Sequence, residues 1–227
     1  PVLASSVATV APTIADSNNA IINFTWTNPK YSNDSSTTRY ILEIDSTGKN
    51  FTNKNSKTVI GALNTALTGR ELNGMLLNLG FKLGISQSID VRLISSYNNN
   101  NERYTSNVLK IMATPFPDPA VLVSANAAVT VTLPNAALLS NTFSWTTAFK
   151  NYTGAVTYFL QYDSATKNFA NIKEIPVNSA FFTKALNQDT MNLTALNSGI
   201  PGGNTGKVEY RIKAVTALGA ISYSNTV

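Results

Sequence analysis

Residues 23–31 read NFTWTNPKY and residues 142–150 read TFSWTTAFK. Each stretch sets a phenylalanine and a tryptophan either side of one small polar residue: Phe24 and Trp26 first, Phe143 and Trp145 second. These are the chain's two tryptophans. Large apolar residues alternating with Thr, Ser or Asn have the period of a strand that buries one face. A tryptophan in mid-strand can reach across the roughly 10 Å between two packed sheets, and its indole N–H is expected to find a backbone acceptor. Each tryptophan therefore reads as a core residue of its own domain. A sugar-stacking platform is the alternative, and the apolar neighbours two residues away argue against it.

Working outward, other phrases return at an offset of 118 or 119 residues. YILEIDSTGKNF (40–51) recurs as YFLQYDSATKNF (158–169), IDVRLIS (89–95) as VEYRIKA (208–214), and TSN (105–107) as YSN (223–225). The chain is a tandem repeat. Its 227 residues suit two domains of about 110 residues, each able to bury a core. Between the copies, Pro115, Pro117 and Pro119 fall at every second residue and favour an extended, semi-rigid connection. The expected division is residues 1–114, a Pro-rich linker at 115–119, and residues 120–227. Each copy carries six or seven short alternating runs, the number of a two-sheet sandwich. The expected fold is all-β: two immunoglobulin/fibronectin-III-like β-sandwich domains in tandem, each with one short helix.

The helix is read from TGRELNGMLLNLG (68–80), where Leu72, Met75, Leu76 and Leu79 follow an i, i+3, i+4, i+7 stripe. Thr68 and Glu71 form a capping box and Gly80 stops the helix. In the second copy Asn187 and Gly199 keep the cap and the stop, but the stripe is poorer, which predicts a shorter or less regular turn.

Composition removes several functions. There is no cysteine and no histidine, so disulfides, thiolate metal sites and the commonest general base are excluded. Only 13% of residues are charged, about half the usual share of about 25%. The net charge of +5 is carried by Lys and Arg scattered singly, which argues against nucleic acid as a partner. PGGNTGKVE (201–209) fails as a phosphate loop because Val208 follows Lys207 where Ser or Thr is needed. Glu43 and Asp45 share a strand face and could be a carboxylate pair, but that face reads as solvated. Arg92 and Arg211, at matching positions, read as members of structural ion pairs with a neighbouring strand. No enzyme activity, cofactor or metal is expected.

The motifs F-[ST]-W-T (24–27, 143–146), Y-x-L-[QE]-x-D (40–45, 158–163), L-N-x-x-L-x-x-L-G (72–80), V-x-[VY]-R and the closing [YT]-S-N occur in order. With them each copy resembles the N-terminal immunoglobulin-like domain of the SusE and SusF class, surface lipoproteins of starch and glycan utilisation systems in Bacteroidetes. The second copy departs from the helix motif at Met191, Ala195 and Ser198. The resemblance implies a protein at the outer membrane cell surface, held by a lipid anchor that would lie outside this chain. It implies work beside a TonB-dependent transporter and its lid lipoprotein, and capture of a polysaccharide or oligosaccharide. It also implies that sugar-binding surfaces sit in C-terminal domains while immunoglobulin-like ones space them.

Function therefore divides between non-catalytic glycan binding and a structural spacer or adhesin module without glycan affinity. A pyranose stacks on an exposed ring whose neighbours offer amides, and loop tyrosines beside asparagine fit that need. The candidates for glycan binding are Tyr31 in PKYSNDSS, Tyr97 in SYNNNNERY and Tyr152 in FKNYTGAV. The structural alternative is that these rings rest on the rims of the sandwiches. The loop after Tyr97 is longer than its counterpart TALGAIS (216–222), the one marked asymmetry between the copies.

Overall fold

The computed structural model describes residues 1–30, 36–97 and 102–227. The chain divides into two compact units, Pro1–Pro117 with Lys150–Thr153, and Asp118–Phe149 with Gly154–Val227.

In the first unit, β1 (Leu3–Ser5), β3 (Ala20–Trp26) and β6 (Asn64–Thr68) form a three-stranded sheet in the order β1-β3-β6. A second sheet runs β2-β9-β7-β4-β5, from β2 (Thr9–Val10), β4 (Arg39–Ser46), β5 (Asn55–Ile60), β7 (Gln87–Ser96) and β9 (Leu109–Ala113), with β8 (Arg103–Thr105) also on β7. One core joins the two sheets. Ile22, Phe24 and Trp26 of one meet Tyr40, Leu42, Ile44, Ile89, Val91 and Leu93 of the other. Alternation along each strand sends these side chains inward, so the unit is an immunoglobulin/fibronectin-III-like β-sandwich.

Helix α1 (Gly69–Asn78) begins at the end of β6 and places Leu72 and Leu76 in that core. The capping box forms as expected: the Glu71 N–H donates to Thr68 Oγ1 at 3.2 Å, and the Thr68 N–H donates to Glu71 Oε2 at 2.8 Å. Gly80, at φ +81°, turns the chain out of the helix.

The second unit repeats the plan. β10 (Leu122–Ser124), β11 (Leu139–Trp145) and β14 (Thr183–Asn187) form one sheet. β12 (Val156–Ser164), β13 (Lys173–Pro176), β15 (Val208–Thr216) and β16 (Ile221–Tyr223) form the other, in the order β13-β12-β15-β16. α2 (Gln188–Asn197) is as long as α1, so the expected shortening does not occur. Its cap holds, with the Thr190 N–H donating to Asn187 Oδ1 at 2.9 Å. Thr194, at the position of Met75, compensates for the poor stripe: its buried hydroxyl bonds the Tyr210 hydroxyl at 2.6 Å, where the first unit has Met75 and Val91.

Both tryptophans are core residues, each 5% exposed. Each is the last residue of its strand, not a mid-strand residue. Trp26 packs on Tyr40, with ring centroids 5.2 Å apart, and Trp145 on Tyr158 at 6.2 Å. The expected backbone acceptor is absent: among the described residues neither indole N–H has a hydrogen-bond partner. The aromatic contacts hold the rings, and the N–H is a cost that packing covers.

Candidate glycan-contact surface

The arrangement that recurs most faithfully surrounds the repeated Lys-Asn-Phe turn. Asp45, at the end of β4, accepts the Ser46 N–H at 2.7 Å and the Asn53 N–H at 3.1 Å. Asp163, at the end of β12, accepts Ser164 and Asn171 at 2.7 and 2.8 Å. Between the two bonded amides the chain passes through left-handed backbone twice in succession, at Asn50 and Phe51 (φ +52° and +59°) and at Asn168 and Phe169 (φ +46° and +56°). A phenylalanine there costs about 1–2 kcal/mol. The buried carboxylate, clamping the loop at both ends, offsets that cost.

The strained turn delivers the phenylalanine ring beneath an arginine. Arg92 lies 4.0 Å from the Phe51 centroid and Arg211 lies 4.0 Å from that of Phe169, with Tyr223 at 4.1 Å. Arg92 Nε also donates to Glu43 Oε2 at 2.7 Å, and Lys54 approaches Glu43 at 3.5 Å. In the second unit Gln161 stands in for Glu43: Arg211 Nε donates to its Oε1 at 2.7 Å, and its Nε2 donates to Glu174 Oε1 at 2.8 Å. That bond, more than the pull of Lys213, holds the Glu174 carboxyl below its ordinary range despite partial burial. Burial also lowers the Arg211 guanidinium from its usual value.

Two expectations meet different fates here. Arg92 pairs with a carboxylate on the neighbouring strand, as expected, whereas Arg211 meets the amide oxygen of Gln161 in place of the expected carboxylate. The face of Glu43 and Asp45 is not solvated: both are buried, Glu43 beneath Arg92 and Lys54 and Asp45 beneath its own turn. Each carboxylate is thus engaged in holding strand and turn together. The sequence carries the signal in the twice-written KNF (49–51 and 167–169).

The three candidate tyrosines fall differently. Tyr31 lies outside the described residues. Tyr97 follows β7 directly and is half-buried. Tyr152 is half-buried within Lys150–Thr153. A shallow depression of the second unit is lined by Leu139, Ile175, Lys184, Ala185, Asn187 and Thr190, without an aromatic ring or any of these tyrosines. Sequence reading passed over one ring pair: Phe181 is 63% exposed beside Phe182, which is held edge-on to Tyr158 at 5.6 Å. Among the described residues no helix is long and apolar enough to cross a membrane.

The SusE outer membrane protein family model matches residues 1–94 and 106–213. The chain belongs to this family. The two matched segments follow the two sequence copies, so the family's pattern is written twice here. A search of curated proteins found no match. Among solved structures the chain is similar to the crystal structure of chicken CNTN1 FN1–FN3 domains, at 12% identity and a TM-score of 0.29. That alignment spans all of this chain and 64% of the other. The fold stands on strand order and core.

Proposed function

We propose that this SusE-family chain is a non-catalytic scaffold of a surface glycan-uptake assembly, spacing other parts of the system and working beside a TonB-dependent transporter and its lid lipoprotein. One observation carries this reading. At matching positions in both units, the charged and amide groups that a sugar or a reaction would need are spent inside the fold, on the Asp45 and Asp163 turns and on the Arg92 and Arg211 stacks. Lipid anchoring at the outer membrane surface belongs to the same proposal, with the anchor outside this chain.

Direct glycan contact is the second reading. It is favoured by Tyr97 and Tyr152, whose rings keep part of their surface open, and by the exposed Phe181 ring. It takes Tyr31, Tyr97 and Tyr152 as the contacts.

Affinity electrophoresis and calorimetry against a panel of starch and other polysaccharides separate the two. The scaffold reading expects no retardation and no heat for the wild-type chain, with co-purification of the transporter complex. Retardation lost in Tyr31→Ala, Tyr97→Ala or Tyr152→Ala would establish the glycan reading instead. Retardation that survives all three would move the site to Phe181.

A further inference from the structure

Each sandwich has a side where both sheets end, at β5 and β6 in the first unit and at β13 and β14 in the second. In the first unit one lysine ties this side shut. Lys57, opposite Leu42 on β4, reaches across to β6, where its ammonium donates to the Ala66 C=O at 2.9 Å, and to α1, where it meets Glu71 Oε1 at 2.9 Å. Strand register gives the matching positions in the second unit: Leu42↔Lys57 becomes Leu160↔Ile175, and Asn23↔Ala66 becomes Thr142↔Ala185. Three residues beyond the helix cap, Thr190 stands where the first unit has Glu71. Isoleucine and threonine thus replace both partners of the ionic strap, and alanine keeps the carbonyl.

The exchange opens this side. Ile175, Ala185 and Thr190 all line the shallow depression of the second unit, together with Lys184 and Leu186. The Trp145 N–H donates to the Phe182 C=O, so Phe182 and, by alternation, Lys184 turn their backbone groups toward β11. Thr183 and Ala185 turn theirs to the open edge. Ala66 does the same in the first unit, which is how its carbonyl meets Lys57. Among the described residues no strand pairs with β14 on that side, and no side chain takes the place of Lys57 on Ala185.

One side chain adds a selection. Leu186 is buried, and Lys184, two residues back on the same face of β14, is half-buried. The Lys184 ammonium has no hydrogen bond and no ion pair among the described residues. Its counterpart in the first unit is Thr65, opposite Phe24 as Lys184 is opposite Phe143. An inward lysine at a sheet edge repels a purely apolar strand, because that strand would cover the charge without pairing it. It admits a strand that brings a carboxylate.

We propose that the β14 edge binds an extended peptide strand of a partner protein, with a carboxylate and an aliphatic side chain at alternate positions. The residue opposite Ala185 exchanges both backbone hydrogen bonds with it and points its side chain to solvent. Its two neighbours point inward, the carboxylate beside Lys184 and the aliphatic chain beside Leu186 and Ile175. Strand addition draws affinity from main-chain bonds and specificity from alternate side chains. The lysine discriminates against strands that lack an acid. The inference holds with or without glycan affinity elsewhere on the chain, so it does not stand or fall with the scaffold reading.

The test titrates the 227-residue chain with the peptide acetyl-Thr-Glu-Thr-Ile-Thr-Glu-Thr-amide and follows the amides of Thr183 and Ala185 by NMR. Carboxylates flank the isoleucine on both sides, so either strand direction meets the rule. Both amide signals are expected to shift, and their exchange with solvent to slow about tenfold at saturation. Lys184→Glu should weaken this peptide by about tenfold or more and take up the version with lysine in place of glutamate, a reversal that a misfolded variant does not give. Ile175→Lys with Thr190→Glu, which writes the first unit's strap into the second, should abolish binding. Affinity indifferent to the charge exchange overturns the proposal, as does the absence of any shift at millimolar peptide. Equal protection of Ala185 by maltoheptaose or by decanoate also overturns it, since the opening would then be a sugar or an acyl site.

Discussion

Asp163 shows how a side chain that looks like a ligand can be a fastener. Its two oxygens take the N–H groups of Ser164 and Asn171, and the left-handed Asn168–Phe169 pair is held between them. Asp163→Ala leaves the part-buried N–H groups of Ser164 and Asn171 without their acceptor, which costs less than the full penalty of about 1–3 kcal/mol for each buried donor. The expected loss is about 1–3 kcal/mol by urea unfolding, with the Phe169–Arg211 stack lost as well. A loss below half a kilocalorie would mean that the turn holds itself. Tyr210 supplies a second handle, because burial, despite its hydrogen bond to Thr194, pushes its hydroxyl up to about 12. The unfolded hydroxyl ionises near 10. Its contribution is therefore fully present below about pH 10 and is lost as the pH rises toward 12, since unfolding then releases a proton that the folded state retains. Stability should fall across that window, by ~2–3 kcal/mol from this residue. Tyr210→Phe should flatten the fall in part, with Tyr40 and Tyr158, also raised by burial, providing the remainder.

At the scale of the element, what a local rule governs was legible, and what depends on long-range neighbours was not. Strand alternation, the Thr68 and Asn187 caps and the glycine stops at 80 and 199 are written within a few residues, and all appear. The burial of Glu43 was not legible, because Arg92 reaches it from a strand 49 residues away. Nor was the full length of α2, which rests on Thr194 meeting Tyr210. For the tyrosine candidates, Asn-rich flanks mark a loop but carry no information on what the ring touches. Gly69 illustrates the same limit. Its helix start is pressed against the Asp16 turn, with a Cβ at this position only 2.5 Å from the Asp16 carbonyl oxygen, while the sequence alone shows an ordinary glycine. Gly69→Ala is expected to destabilise the first unit by about 1–3 kcal/mol through overpacking, although alanine favours helices. Thermal unfolding checks the sign: a stabilised variant would mean that the turn yields freely.

On the scale of the whole molecule, duplication gives two sandwiches of one plan but unequal burial. In the first unit the core is closed by Ile111, Ala113 and Val10; in the second, Val129, Leu196 and Val208 keep part of their surface in water. Each fully buried aliphatic side chain contributes about 1.5–3 kcal/mol, so the second unit starts several kilocalories behind. Its buried tyrosines recover part of the difference through hydrogen bonds at Thr194, Ala148 and Asn197. Because each unit holds one tryptophan, the comparison can be made inside one molecule. Trp145→Phe leaves Trp26 to report on the first unit, and Trp26→Phe leaves Trp145 to report on the second. Urea titrations of the two variants should give separate midpoints, with the Trp145 signal lost at the lower concentration. Phenylalanine replaces each indole without creating a new buried donor, and because the two sites are equivalent in burial and packing, the substitutions should perturb their units alike. Coincident midpoints, or a first unit that melts earlier, would show that the exposure of Val129, Leu196 and Val208 costs the second sandwich nothing.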